Sequence, residues 1–255
     1  TNDLYQKKVY TAREASSITT NFSIASLGGF AFLSSIAGIE NLYSEVVLAA
    51  FICVFVLAAI MIRIPPLSRK PDTYIDGTVQ TEAQRKPEHY SGQTFPTAYQ
   101  DALEKASGTK FTVFLEQLKS SFMFGIKVNA FIVSLSVICL LIFNYTPIAK
   151  WIAIPMAPIL SLLGLPDAQQ IAASSIVGIF ALSIPATLIK GKAVAAASAF
   201  FVVVLSTSQI IFFTESANAM LESDIPVGFG DLVQIFFIRT IILIPMVALM
   251  AKILV

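Results

Sequence analysis

The sequence predicts an all-α membrane protein of about six transmembrane helices, with one broken or re-entrant proline-rich segment and a cytoplasmic amphipathic helix. Three observations carry that expectation. Hydrophobic residues make up 56% of the 255 and charged ones only 13%, about half the charged share of an average soluble domain. The apolar residues fall in runs long enough to cross a hydrocarbon layer of roughly 30 Å, which takes about 20 residues per helix. Lys and Arg are spread unevenly over the polar stretches between those runs, and that asymmetry orients a bundle.

The chain opens on Thr1-Asn2-Asp3-Leu4-Tyr5-Gln6-Lys7-Lys8, a polar start with neither an initiator methionine nor the apolar core of a signal peptide. Further sequence is expected upstream. Thr11-Ala12-Arg13-Glu14 is a capping box that starts the first helix. Ser16, Ser17, Thr19, Thr20, Asn21, Ser23 and Ser26 follow, and Thr19, Ser23 and Ser26 recur on one face. A helix this polar belongs inside a bundle. The second span is 46–64, and 1–64 reads as a two-span hairpin. Residues 65–121 form a loop rich in Pro, Gly and charge, with an amphipathic helix over 97–121 that a second capping box at Thr97 to Gln100 would start.

The third span is expected at 124–143. Residues 146–165 are apolar but carry Pro147, Pro155 and Pro158, each removing a helix donor, so a broken, cavity-lining segment is predicted there. Residues 171–189, 193–213 and 232–254 make the fourth, fifth and sixth spans, and 214–255 combines an external loop with the last of them. Lys7, Lys8, Arg13, Arg63, Arg69, Lys70, Lys190, Lys192 and Lys252 are placed on the cytoplasmic side, with Glu40, Glu45, Asp167, Glu215, Glu222 and Asp224 opposite. The N-terminus and the loop 65–121 are then cytoplasmic. Parity between the third span and Lys190 requires that 146–165 not cross fully.

Cys53 and Cys139 sit within apolar runs and read as buried thiols. The single histidine, His89, lies in the hydrophilic loop, and no phosphate-binding glycine loop or metal-ligand spacing is present. No enzyme, metal site or cofactor is expected, nor a nucleic-acid partner; a coupling cation such as Na+ or H+ is compatible with the pattern. Polar groups inside apolar runs are the informative ones, because each needs a partner or a wet cavity. Ser206, Thr207, Ser208 and Gln209 fall in the fifth span, where they either bind solute or bond helices together. Thr214, Glu215 and Asn218 lie at its end, the last two at i, i+3, as a candidate solute or cation site. Lys127 and Asn129 begin the third span, the lysine placed to snorkel. Arg239 in the sixth is expected to pair with a carboxylate such as Glu215 or Asp231, or else to bind solute. Glu215 is the one group suited to intramembrane catalysis.

Several stretches together resemble the YjiH family of bacterial inner-membrane proteins, which carry the nucleoside-recognition Gate domain. They are Tyr10-Thr11-Ala12-Arg13-Glu14-Ala15 with the Ser/Thr run to Ser23, Arg63-Ile64-Pro65-Pro66-Leu67-Ser68, Tyr145-Thr146-Pro147 through Gly164-Leu165-Pro166, and Phe213-Thr214-Glu215 through Arg239-Thr240. The resemblance implies a multi-pass protein of the bacterial inner membrane with a Gate-like domain over 122–213. Gate domains are also similar to segments of concentrative nucleoside transporters, ferrous-iron transport proteins and spore-maturation membrane proteins. A transporter or transporter subunit for a small polar solute, nucleoside-like among the options, is the expected function; a non-transporting membrane scaffold is the alternative. Longer family members have a further upstream half, so the resemblance implies a homo-oligomer, a second Gate-domain protein, or that half as partner.

Overall fold

The computed structural model describes residues 1–81, 99–100, 103 and 111–255. The second capping box and most of the start of the amphipathic helix lie outside them. The described residues are helical, and their β-structure is limited to one isolated bridge, Thr73 to Val79. Among the described residues, three helical segments are long and apolar enough to cross a membrane: Ala12–Ala37, Glu40–Met61 and Phe229–Leu254. That length and apolarity are what a helical membrane protein requires.

A short helix α1 (Asn2–Gln6) precedes α2 (Ala12–Phe22). The capping box forms as its sequence requires: the Glu14 amide donates to Thr11 Oγ1 at 3.3 Å and the Thr11 amide to Glu14 Oε2 at 2.9 Å. The first span is not continuous. It stops at Phe22, and α3 (Leu27–Ala37) restarts it with Ser26 as N-cap. Gly38 ends α3 at φ +72°, where a left-handed residue lets the last carbonyls find donors. After a 3-10 turn, α4 (Tyr43–Met61) forms the second span, with Cys53 buried as a free thiol.

Helix α5 (Phe111–Tyr145) runs through the end of the amphipathic stretch and the whole third span without interruption. Helix α6 (Ile148–Leu162) keeps both Pro155 and Pro158 inside it. The break expected over 146–165 is therefore absent. At 15 residues α6 is about 22 Å long, short of a full crossing.

The interruption falls in the next run instead, where one fourth span was expected. Residues 168–189 form α7 (Ala168–Ile171), α8 (Ser174–Val177) and α9 (Ile184–Ile189). They make a hairpin, because its two ends meet. The Ala195 amide donates to Asp167 Oδ2 at 2.8 Å, and the Ser198 hydroxyl donates to the Pro166 carbonyl. Midway, Ser174 Oγ donates to the Pro185 carbonyl and ties the arms together. Asp167 and Lys190 thus share one end of the molecule, whereas the charge pattern assigned them opposite ends.

Helix α10 (Ala196–Gln209) is buried on every side from Ser198 to its end and packs against α3, α4, α9 and α12. It stops well short of the expected 213, and α11 (Ser216–Leu221) and α12 (Phe229–Leu254) follow. Salt bridges join Lys8 to Asp76 and Lys70 to Asp231. Gln6 and Asn2 donate to Asp224. Asp224 therefore lies at the N-terminal end of the bundle, a correction to its external placement. Lys252, two residues from the end of a 26-residue helix that starts beside Lys70, belongs to the opposite end, next to Gly164.

Candidate functional site

The site grows from two helices that stop in mid-bundle. Helix α2 comes from the N-terminal end and finishes at Phe22; α10 comes from the opposite end and finishes at Gln209. A helix terminus leaves its last carbonyls unpaired, with a partial charge near −0.5. Both termini meet the same side chain. Arg239, on α12, is 0% exposed. Its Nε donates to the Gln209 carbonyl at 3.1 Å and Nη2 to the Ser208 carbonyl at 2.8 Å. Nη1 donates to the Thr20 carbonyl at 3.2 Å and to Asn21 Oδ1 at 2.6 Å.

The carboxylate partner expected for Arg239 is thus replaced by carbonyls and one amide. Among the described residues no acid reaches it. Asp231 is engaged elsewhere, with Lys70 Nζ at 2.5 Å and the Gly228 amide at 3.2 Å. It lies two turns back on α12, on the side facing the 63–70 turn. Helix dipoles explain the outcome: two C-termini supply about one negative charge in all, at atoms that need donors anyway.

The hairpin tip docks on the same junction. Gln209 Nε2 donates to the Ser175 carbonyl at 2.7 Å and to Thr240 Oγ1 at 2.9 Å. Two backbone bonds follow, from the Phe213 amide to the Ile179 carbonyl at 2.8 Å and from the Thr214 amide to the Phe180 carbonyl at 3.0 Å. They satisfy the unwound stretch after α10, as non-helical backbone inside an apolar bundle requires. Ile210 starts that stretch at φ +65°, a conformation a β-branched residue adopts only under constraint.

Gly178 makes the approach possible. A Cβ there would lie 2.3 Å from Gln209 Oε1. The buried oxygens of Ser175, Ser208, Gln209 (Oε1) and Thr214 have no hydrogen-bond partner, and Ser16 and Ser34 on α2 and α3 share that state. A polar group left unpaired in a dry interior costs about 1–3 kcal/mol, and four of them lie on the segments that meet here, one amide oxygen and three hydroxyls.

The structure brings some of the expected residues here and leaves others out. Gln209, Ser208 and Thr214 are at the junction. Thr207 is buried beside it, but its hydroxyl donates to the Val203 and Val204 carbonyls of its own helix. Glu215 is half-buried at the start of α11, and Asn218 turns from it to Glu222 at 3.2 Å. Thr19 and Ser23 bond to each other, hydroxyl to carbonyl at 2.7 Å, with Ser23 exposed. The buried face of α2 carries Ser16, Thr20 and Asn21 instead. Asn129 is exposed on α5, and the Lys127 side chain lies outside the described residues.

Sequence reasoning missed Asn21, Thr20, Ser175, Gly178 and Thr240. One signal could have found Asn21: a lone arginine in an apolar span needs an acceptor, and Asn21 is the one amide in the polar first helix. A separate groove of about 890 Å³ runs between α6 and the base of the hairpin, with Lys150, Ser161, Asp167 and Gln170 on its walls. Gln209 is not among its lining residues.

No family model matches this sequence, and no solved structure matches it. Among curated proteins it is similar to an uncharacterized protein of Alkalihalophilus pseudofirmus, 33% identical over 261 residues that cover 99% of this chain and 54% of that protein. The chain spans about half the length of the curated relative it matches.

Proposed function

We propose that the chain is an inner-membrane transporter or transporter subunit of the Gate-domain type, carrying a small polar solute through the junction of α2, α10 and the hairpin tip. The observation that carries this reading is the pair of half-helices ending face to face on buried Arg239. Secondary transporters build midplane sites from discontinuous helices of this kind, and an intramembrane ionisable group with polar neighbours marks a solute pathway by default. The unpaired buried groups of Ser175, Ser208, Gln209 and Thr214 lie on the segments that form the junction, and they are the kind of group to which a polar solute bonds.

In this arrangement five segments cross: 12–37, 43–61, 111–145, 196–228 in broken form, and 229–254. The run 168–189 enters and leaves at one face. Parity still makes 148–162 an incomplete crossing, now because the hairpin turns back. The basic residues Lys7, Lys8, Arg13, Arg63, Arg69 and Lys70 favour a cytoplasmic N-terminal end. A second copy, another Gate-domain protein or a longer chain would cover the open side of the bundle.

The experiment is uptake by proteoliposomes of labelled polar solutes, nucleosides included. The native chain is expected to take up at least one solute above empty liposomes, with Gln209→Ala reducing the rate more than tenfold. No uptake of any solute by folded protein would favour the scaffold. An unchanged rate in Glu215→Gln would remove Glu215 from the site.

A further inference from the structure

Helix C-termini and unwound carbonyls at a transporter's midplane are the groups that hold a coupling Na+. Here those groups are already occupied. The Ser208, Gln209 and Thr20 carbonyls and Asn21 Oδ1 form a four-oxygen cage, all four within 2.6 to 3.2 Å of a guanidinium nitrogen. An arginine stays protonated in a protein. Its charge of one matches the roughly two half-charges of the helix ends.

We propose that Arg239 is the resident cation of this junction, standing where a coupling metal ion would sit, so that the site takes a solute without positive charge and binds no Na+. The charge balance is closed without a further ion. A second monovalent cation about 5 Å from the guanidinium would bind more weakly by a factor on the order of 10². The unpaired groups of Ser175, Ser208, Gln209 and Thr214 are then left to the solute: Gln209 Oε1 takes a donor, and each hydroxyl takes a donor or an acceptor. A neutral solute bearing N–H and O–H groups fits that demand.

The inference rests on the transport reading only in calling the displaced ion a coupling one. Its test reads the cage itself, so a chain that transports nothing would still give the result. Thermal unfolding of the purified full chain is followed while NaCl is exchanged for choline chloride at constant ionic strength. The native chain is expected to unfold at the same temperature in both, within about 1 °C. A saturable rise specific to Na+ would overturn the proposal. Arg239→Met vacates the cage and is expected to gain a Na+-specific rise of several degrees, or to fold only in Na+. Arg239→Lys keeps a resident charge and should stay indifferent to Na+. A folded Arg239→Met protein as indifferent as the native chain would also overturn the proposal. If that variant folds in neither salt, the native titration decides.

Discussion

Gly178→Ala puts the docking of the hairpin on α10 to a quantitative test. The added Cβ would stand 2.3 Å from Gln209 Oε1, 3.4 Å from Gln209 Cδ and 3.5 Å from Pro185 Cγ. Relief requires the Gln209 amide to retreat by about 1 Å. It cannot do so freely, because Nε2 is held by the Ser175 carbonyl and the Thr240 hydroxyl. Losing two buried hydrogen bonds at about 1 kcal/mol each gives roughly 2 kcal/mol, within the usual range of about 1–3 kcal/mol for overpacking. For a chain of this size that is roughly 4–8 °C in Tm. Scanning calorimetry in detergent reads it. Gln209→Ala removes the atoms that clash, so Gly178→Ala should cost little in that background, and the pair should show a coupling of about 2 kcal/mol. Equal costs of Gly178→Ala in both backgrounds would refute the contact.

Other substitutions test the rest of the frame. Asp231→Ala removes both the Lys70 ion pair and the acceptor of the Gly228 amide, and should cost about 1–2 kcal/mol by chemical unfolding; Lys70→Met loses only the pair and should cost less. Reversal of that order would contradict the capping role. Hydrogen bonds from Lys8, and then from the Thr78 hydroxyl and amide, hold the Asp76 carboxyl well below the usual carboxylate range. A lowered carboxyl stabilises above its unfolded pKa and loses that effect only as pH falls through the lowered value. Asp76→Asn should therefore speed hydrogen exchange at the Thr78 amide at neutral pH and still do so at about pH 3, below the ordinary range. Identical protection of the two proteins at about pH 3 would contradict the lowered carboxyl.

Much of the frame was legible because it is local. The Thr11 capping box and the apolar run of α4 depend on neighbours in sequence; the box forms as its residues predict, and α4 covers Tyr43–Met61 against the expected 46–64. The interruptions were misjudged because they are not local. Pro155 and Pro158 each delete a helix donor, yet α6 continues through them; a missing bond bends a helix and does not by itself end it. The run 171–189 reads as a plain apolar span, but its tip is unwound where the Ile179 and Phe180 carbonyls take donors from the segment after α10.

The same limit governed the site. Gln209, Ser208 and Arg239 stood out because polar groups in apolar runs are conspicuous. The partner of Arg239 did not, since backbone carbonyls carry no signature in sequence. The spacing of Thr19, Ser23 and Ser26 points to one polar face of α2, whereas burial selects Ser16, Thr20 and Asn21. Both faces have helical spacing. Only the position of Arg239 distinguishes them.

Whether the junction opens to water separates a transporter from a scaffold without knowledge of the solute. In a chain with Cys53→Ala and Cys139→Ala, Ser208→Cys places one thiol at the end of α10, buried beside Arg239. A small anionic methanethiosulfonate is applied to oriented membrane vesicles from each face in turn. Alternating access predicts that this cysteine is labelled from both faces, more slowly than an exposed control. Protection from both faces for hours, with full labelling only after denaturation, would contradict the transport reading.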